Sequence, residues 1–304
     1  MVSRIRLSSE HPGKRVLGMS DNFSFFGLYL SVFLMKHSLF LPVAALLFLL
    51  ASCTKNSNSD TESPADTLAL SYSVLKTLPH DPEAYTEGLL ISNGKVLEST
   101  GLNGKSWVAE VDPGTGVHTK KIVLDQQYFG EGISVINNKL YQLTYRTGVG
   151  FIYNATTYKQ LGEFKFSNAE GWGMTHDNKN LIMSDGTEKL TYLDTANLSV
   201  VRTLTVTNEG QKLKNVNELE YVDGYIYANV YETSWIVKID AASGKVVGRV
   251  DLSPLTEEVR RMYPNIDYLN GIAYDTNSKA FLVTGKNWPK AFLIRIQKPA
   301  VANP

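Results

Sequence analysis

One short pattern constrains this chain more than any other. Tyr128-Phe129-Gly130-Glu131-Gly132-Ile133 sets a carboxylate between two glycines at the head of a strand-like run. Variants of it recur at Thr86-Glu87-Gly88-Leu89, Gly171-Trp172-Gly173-Met174, Asn217-Glu218-Leu219-Glu220 and Asn270-Gly271-Ile272-Ala273, each leading into an apolar alternation. Counted between Glu87, Glu131, Trp172, Glu218 and Gly271, the periods are 44, 41, 46 and 53 residues. Such periods suit four-stranded propeller blades better than any helical array.

Each repeat follows one grammar. A first strand ends in a tight turn at Asn93-Gly94, Asn137-Asn138, Asp177-Asn178, Asp223-Gly224 or Thr276-Asn277-Ser278, and a second strand follows. Asn-Gly and Asp-Gly tolerate the positive φ of two-residue hairpins. Third strands are expected at 107–111, 150–153, 190–193, 235–239 and 292–296, and fourth strands at 120–124, 162–166, 200–206 and 246–250. The fifth repeat has no fourth strand of its own. Ala69 to Thr77, which alternates in the same way, is expected to supply it and so remove an exposed edge. The fold class expected is all-β, a five-bladed β-propeller closed by an N-terminal strand. Its main interruption is 252–269, where Ser253-Pro254 opens TEEVRRMY, a short helix read as carrying its acids early and its arginines late and lying over one face.

Residues 1–66 stand outside the repeat. Leu39 to Leu50 is mostly apolar behind Lys36, short for a bilayer span but suited to the core of a signal peptide. It runs into Leu50-Ala51-Ser52-Cys53, which resembles a bacterial lipobox, with Cys53 as the lipidated residue and the chain's single cysteine. The expected layout is a signal with lipobox over 1–53, a flexible tether over 54–66 and a catalytic propeller over 67–298. A compact signal can also start at Met35, so 1–34 reads as an extended leader or a mis-assigned start. The expected location is the cell envelope of a bacterium, exported and held to the membrane by the lipid alone. The formal charge is zero overall. Residues 1–53 hold five Lys/Arg and two Asp/Glu, which leaves 25 against 28, a net of −3, for the remainder. Without a basic stripe no nucleic-acid partner is expected, and the domain is read as a monomer.

In a propeller the opening motifs converge on the central channel. Glu87, Glu131, Glu218, Asn217 and Trp172 come from different repeats, Lys286 follows a second strand, and Tyr145 and Tyr231 end two others. Such residues can solvate a wet channel, hold a structural cation through their oxygens, or do chemistry. Lys286 can equally pair with Glu87 or Glu218 as a structural ion pair. Glu220 reads as facing outward to pair with a neighbouring strand. His80, His118 and His176 lack metal-ligand spacing, so no zinc site is expected.

From about Pro79 to Ile296 the chain resembles the plant-type glutaminyl cyclases, five-bladed propellers also found in bacteria. The likeness rests on YTEGL at 85–89, STG at 99–101, YFGEG at 128–132, GFIY at 150–153, GWG at 171–173, SDGT at 184–187, NELEY at 217–221 and TGKNWPK at 284–290. The resemblance implies cyclisation of an amino-terminal glutamine of a peptide or protein to pyroglutamate with loss of ammonia, and no catalytic metal or other cofactor. It puts catalysis on Glu131, Asn217 and Lys286, and substrate binding on Tyr85, Glu87, Tyr145, Trp172 and Tyr231. Glu87 stands where the plant enzymes carry glutamine, and Tyr145 and Tyr231 stand where they carry tryptophan. On this reading Glu131 shuttles the proton with a pKa raised by Glu87 and the aromatic walls. Asn217 would hold the amide oxygen and Lys286 would offset charge developing on it. A lipid-anchored, non-enzymatic binding module and a metal-dependent lactonase-like propeller are the competing readings.

Overall fold

The computed structural model describes residues 66–298. The signal, the lipobox and Cys53 lie outside these residues. The described chain is all-β with one helix, and its strands run as successive antiparallel meanders. After β1 (Ala69–Pro79), the first meander is β2 (Thr86–Ser92), β3 (Lys95–Thr100), β4 (Trp107–Val111) and β5 (His118–Val123). The second is β6 (Gly130–Ile136), β7 (Lys139–Thr144), β8 (Val149–Asn154) and β9 (Gln160–Lys165). The third is β10 (Met174–His176), β11 (Asn180–Ser184), β12 (Lys189–Asp194) and β13 (Val200–Thr205). A hairpin of β14 (Thr207–Asn208) and β15 (Gln211–Lys212), absent from the sequence reading, precedes the fourth meander of β16 (Val216–Val222), β17 (Tyr225–Val230), β18 (Trp235–Asp240) and β19 (Val246–Asp251). After α1 (Ser253–Met262) come β20 (Leu269–Asp275), β21 (Ala280–Gly285) and β22 (Lys290–Gln297).

β1 pairs antiparallel with β22 from Ser71↔Gln297 to Pro79↔Lys290, as the missing edge required. A second pairing was not foreseen. Ala69 and Leu70 also run parallel to Arg249 and Val250 of β19, which fuses the fourth meander with β20–β22 into one eight-stranded sheet. The outer strands of that sheet, β16 and β20, come back against each other. Glu218 there accepts a hydrogen bond from the Ile272 N–H at 2.7 Å and Glu220 one from the Tyr274 N–H at 3.0 Å, so the sheet is nearly closed. Glu220, only partly buried, does pair with the neighbouring strand as expected. It reaches the neighbouring strand from an environment that pushes its carboxyl up to about 8, chiefly by burial.

The opening strands neighbour one another in a cycle, β2 with β6, β6 with β10, β10 with β16, β16 with β20 and β20 with β2. Gly132 shows why the motif needs glycine. Its N–H donates to the Trp172 carbonyl at 2.7 Å, and a Cβ there would sit 2.5 Å from that same oxygen and from the Met174 nitrogen. Large apolar side chains fill the gaps between meanders, among them Ile133, Leu140, Phe151, Leu181, Ile226 and Phe292. α1 starts at a proline-containing first turn and buries Leu255 and Val259 beside Leu269 and Trp288. Its acids are not early: the first turn has none, while Arg260 and Arg261 do occupy the last turn.

His80 and His118, scattered in the sequence, meet on one buried carboxylate. Glu98 receives His80 Nε2 at 3.0 Å and His118 Nε2 at 3.1 Å, and His80 Nδ1 donates to the Trp288 carbonyl at 2.5 Å. A carbonyl and a carboxylate only accept, so His80 donates from both nitrogens as an imidazolium. Burial opposes its charge, but Glu98 outweighs that and raises its pKa. Glu98 is pushed down to about 2, because the His80 charge and hydrogen bonds from both histidines and Thr86 overcome burial. This cluster fastens β3 to the chain just beyond β1 and β21.

Candidate active site

The opening motifs also carry the irregularities that aim their side chains. The pairing of first and second strands slips between Thr86 and Gly88, Gly130 and Ile133, Val216 and Leu219, and Leu269 and Ile272. A bulge of this kind re-aims side chains out of the strict alternation, and here it brings Glu87, Glu131, Asn217 and Asn270 into the interior. β10 starts only at Met174, so Trp172 enters from the loop before it, while Tyr145, Tyr231 and Lys286 follow the ends of second strands.

These residues form one cavity of about 140 Å³, lined by Tyr85, Glu87, Phe129, Glu131, Tyr145, Trp172, Asn217, Tyr231 and Lys286. All eight pocket residues expected from the sequence line it. Phe129 was not expected, although it sits inside the YFGEG block. Its ring contacts Tyr85 edge-on at 6.3 Å and Tyr145 at 5.6 Å, and the room it fills exists because residue 101 is glycine.

The polar floor is strongly coupled. Lys286 Nζ lies 2.6 Å from Glu87 Oε1, and Asn270 Nδ2 donates to Glu87 Oε2 at 3.2 Å. Glu87 is thus committed to the protein, and of the two carboxylates offered to Lys286 by the sequence it is Glu87, not Glu218, that takes the ion pair. Glu218 accepts from the Leu89 and Ile272 N–H groups instead. Asn270 occupies the place in its motif that Asn217 has in the fourth, a correspondence visible in the sequence. The Lys286 ammonium also faces the Tyr85 ring at 4.6 Å and the Tyr231 ring at 5.2 Å. Burial lowers its pKa, but Glu87 and Glu131 raise it further, so it stays charged.

Glu131 is 4 % exposed and faces the cavity. Burial first, then the Glu87 charge, push its carboxyl well above the ordinary range, with Lys286 opposing. Glu87 is raised to about 7, since burial exceeds the help from Lys286. Asn217 leaves its side-chain oxygen buried and unpartnered in the protein. Asn217 lines the cavity, and its side-chain N–H₂, which has no hydrogen-bond partner in the protein, is the donor that the amide oxygen expected from sequence would need.

A second set of residues holds the walls. Tyr85 donates to Asp267 Oδ2 at 2.9 Å, while the Asp267 N–H donates to the Lys286 carbonyl and the Lys286 N–H to the Tyr268 carbonyl, each at 2.9 Å. Trp172 Nε1 donates to Glu170 at 2.8 Å, and the other oxygen of Glu170 takes Arg146 Nε at 2.7 Å. Arg146 in turn lies 4.5 Å over the Tyr145 ring. None of Asp267, Tyr268, Glu170 or Arg146 belongs to the repeated motif: Asp267 and Tyr268 act on residues remote in sequence, and Glu170 and Arg146, though next to Trp172 and Tyr145, meet each other only across 24 residues. Among the described residues no group of three or more His, Cys, Asp or Glu is arranged to hold a metal ion.

An all-β repeat scaffold that brings a proton-holding carboxyl, a fixed ammonium and an amide side chain into one aromatic-walled pocket is built for acid–base work on a small polar group. The comparisons with known proteins agree. The model of the glutamine cyclotransferase family matches residues 44–296. The glutaminyl-peptide cyclotransferase of Arabidopsis thaliana is 36 % identical over 248 residues, which covers 79 % of this chain and 78 % of that protein. The crystal structure of Myxococcus xanthus glutaminyl cyclase superposes with a TM-score of 0.71 at 31 % identity, covering 76 % of this chain and 99 % of that one. The chain belongs to the glutamine cyclotransferase family.

Proposed function

We propose that this chain is a glutaminyl-peptide cyclotransferase on a five-bladed β-propeller, converting an amino-terminal glutamine of a peptide or protein to pyroglutamate and ammonia. The cycle of five neighbouring opening strands and their repeated meanders support the propeller. The observation that carries the activity is the convergence of Glu131, Lys286 and Asn217 in a cavity of about 140 Å³, since a cavity of ~150 Å³ accepts a group the size of benzene and so takes one glutamine side chain.

The amine and the amide belong to the same residue, so the task is to fold one onto the other and move protons. Trp172, Tyr145, Tyr231 and Phe129 hold the methylene stem and exclude water. Asn217 donates its side-chain N–H to the substrate amide oxygen, and Lys286, fixed by Glu87, faces the same oxygen and stabilises the negative charge that develops there. The α-amine nitrogen bonds to the amide carbon while the protonated Glu131 carboxyl gives its proton to the departing nitrogen, so that the old C–N bond breaks and ammonia leaves. The carboxylate so formed takes the extra proton from the new ring nitrogen, which restores Glu131. Such transfer by one positioned group contributes about 10²- to 10⁴-fold, and positioning adds several kcal/mol. Glu87 and Glu218 are already engaged by Lys286, Asn270 and backbone N–H groups, which supports a mechanism run by protein groups alone.

The proposal includes export to a bacterial envelope and lipidation at Cys53, with the domain acting as a monomer on a tether. The direct test of the activity is ammonia release from a glutamine-initiated dipeptide with pyroglutamate detected in the product. Absence of both in folded protein overturns it.

A further inference from the structure

The pocket takes one side chain, so the rest of a substrate must cross the face around its mouth. A groove of about 390 Å³, formed by Pro82, Glu83, Met262, Tyr263, Ile266 and Asn287 among others, lies next along the chain to residues that line the pocket. Three separate stretches of chain lead directly from one cavity to the other. Pro82 is three residues before Tyr85, Ile266 immediately precedes Asp267, which holds Tyr85 and the Lys286 backbone, and Asn287 follows Lys286. The groove is tied down as well as adjacent: the Asn287 N–H donates to the Ala84 carbonyl at 2.8 Å and its side-chain amide to the Pro82 carbonyl at 2.9 Å.

Its outer wall is apolar and open. Met262 is 50 % exposed and Tyr263 46 % exposed, side by side at the end of α1. Exposed large apolar groups gathered at the rim of a concavity, rather than scattered singly, mark a place where apolar surface is covered during function. The charges nearest this wall are Glu83 and Lys290, and Lys290 is paired with Glu258 at 3.1 Å while its ammonium lies 3.9 Å from the Met262 sulfur.

We infer that this groove is the subsite for the residue that follows the substrate's amino-terminal glutamine, and that it takes an apolar side chain. The inference rests on the pocket being the glutamine site. A peptide whose first side chain fills the pocket leaves its second residue at the junction with the groove, where Met262 and Tyr263 cover an aliphatic or aromatic group. The apolar contact adds to binding of substrate and transition state alike, so the preference is expected in kcat/KM through KM.

The test measures ammonia release by the full chain from the amides of Gln-Ala, Gln-Leu and Gln-Phe, in the unaltered protein and in Met262→Ser/Tyr263→Ser. Burial of about half a phenyl ring favours Gln-Phe over Gln-Ala by roughly five- to tenfold in kcat/KM. The double substitution is expected to bring the ratio within about twofold while kcat on Gln-Ala amide and the melting temperature stay unchanged. Equal rates for the three peptides in the unaltered protein, or a preference that survives the double substitution, would overturn the subsite and leave the cyclase reading intact. A loss that falls equally on every peptide also counts against it. No ammonia from any peptide would sink the underlying reading instead.

Discussion

Replacing Glu131 by glutamine separates the proton from the shape. Glu131→Gln keeps the volume and reach of the side chain in a pocket where it is almost fully buried, but it can neither take a proton from the amine nor give one to the leaving nitrogen. Turnover is therefore expected to fall by about 10²- to 10⁴-fold. Stability should move the other way. The native carboxyl is held well above its ordinary value by burial and by Glu87, so as pH rises from the unfolded value the unfolded chain releases this proton while the native state keeps it. Over that window the native state loses about 1.4 kcal/mol for every unit by which the pKa is raised, and the loss levels off above the native value. Glutamine removes the loss. The variant and the original protein should melt together near pH 4 and diverge, with the variant more stable, towards pH 8 to 9. The assays are ammonia release from Gln-Ala amide and thermal unfolding across that range. A folded variant that still cyclises within tenfold of the original rate takes Glu131 out of the mechanism, and a melting difference that does not grow with pH removes the raised carboxyl.

Glu87→Leu strands the Lys286 ammonium and is expected to cost about 3–5 kcal/mol in chemical unfolding. Glu87→Gln, which still accepts from Lys286 and Asn270, should cost clearly less and stay active, and equal costs would deny the pair its importance. Glu98, held near 2, contributes stability that is full above its unfolded value of 4.5 and is lost as pH falls towards 2, a limb of roughly 3 kcal/mol. Glu98→Gln should flatten that limb, whereas the His80 contribution, with its raised pKa, is present below 6.5 and fades on the alkaline side; an unchanged acid limb in the variant would contradict the linkage. A chain beginning at Pro79 lacks the strand that pairs with β22, so it should aggregate or melt far below the full chain, and equal melting would mean that β22 is covered otherwise. In bacterial cells a fatty-acid analogue should label the full chain but not Cys53→Ala, and equal labelling of the two would rule out lipidation there.

Much of this site was legible because a repeat protein writes its centre in register. Glu87, Glu131 and Trp172 stand at corresponding places in successive motifs, Asn217 stands one place before the counted position of its own, and the strand ends carrying Tyr145, Tyr231 and Lys286 are fixed by the same period. The turns were equally plain, since Asn93, Asn137, Asn138 and Asp223 do adopt positive φ. What escaped were contacts whose partners share no period. Asp267 and Glu170 hold functional side chains from loops, His80 reaches Glu98 from beyond β1 while His118 reaches it from β5 of the same sheet, and the two-residue strands of the β14–β15 hairpin leave no alternation to read. The fate of Lys286 was open for a related reason: two buried carboxylates were within its sequence reach, and only the backbone donors around Glu218 decide between them.

The double pairing of β1 bears on how the domain carries load. Ala69 and Leu70 are bound to β19 just before the strand turns its pairing to β22. Arg249 reinforces the spot, donating its backbone N–H to the Leu68 carbonyl at 2.7 Å and its guanidinium to Asp66 at 2.8 Å. A pull on the chain from residue 65 therefore meets ladder bonds on two sides of one strand, and the first rungs cannot be peeled from β22 without also shearing β19. The fastening that completes the sheet is thus also a mechanical clamp, set at the point where any tension from the preceding residues enters the fold.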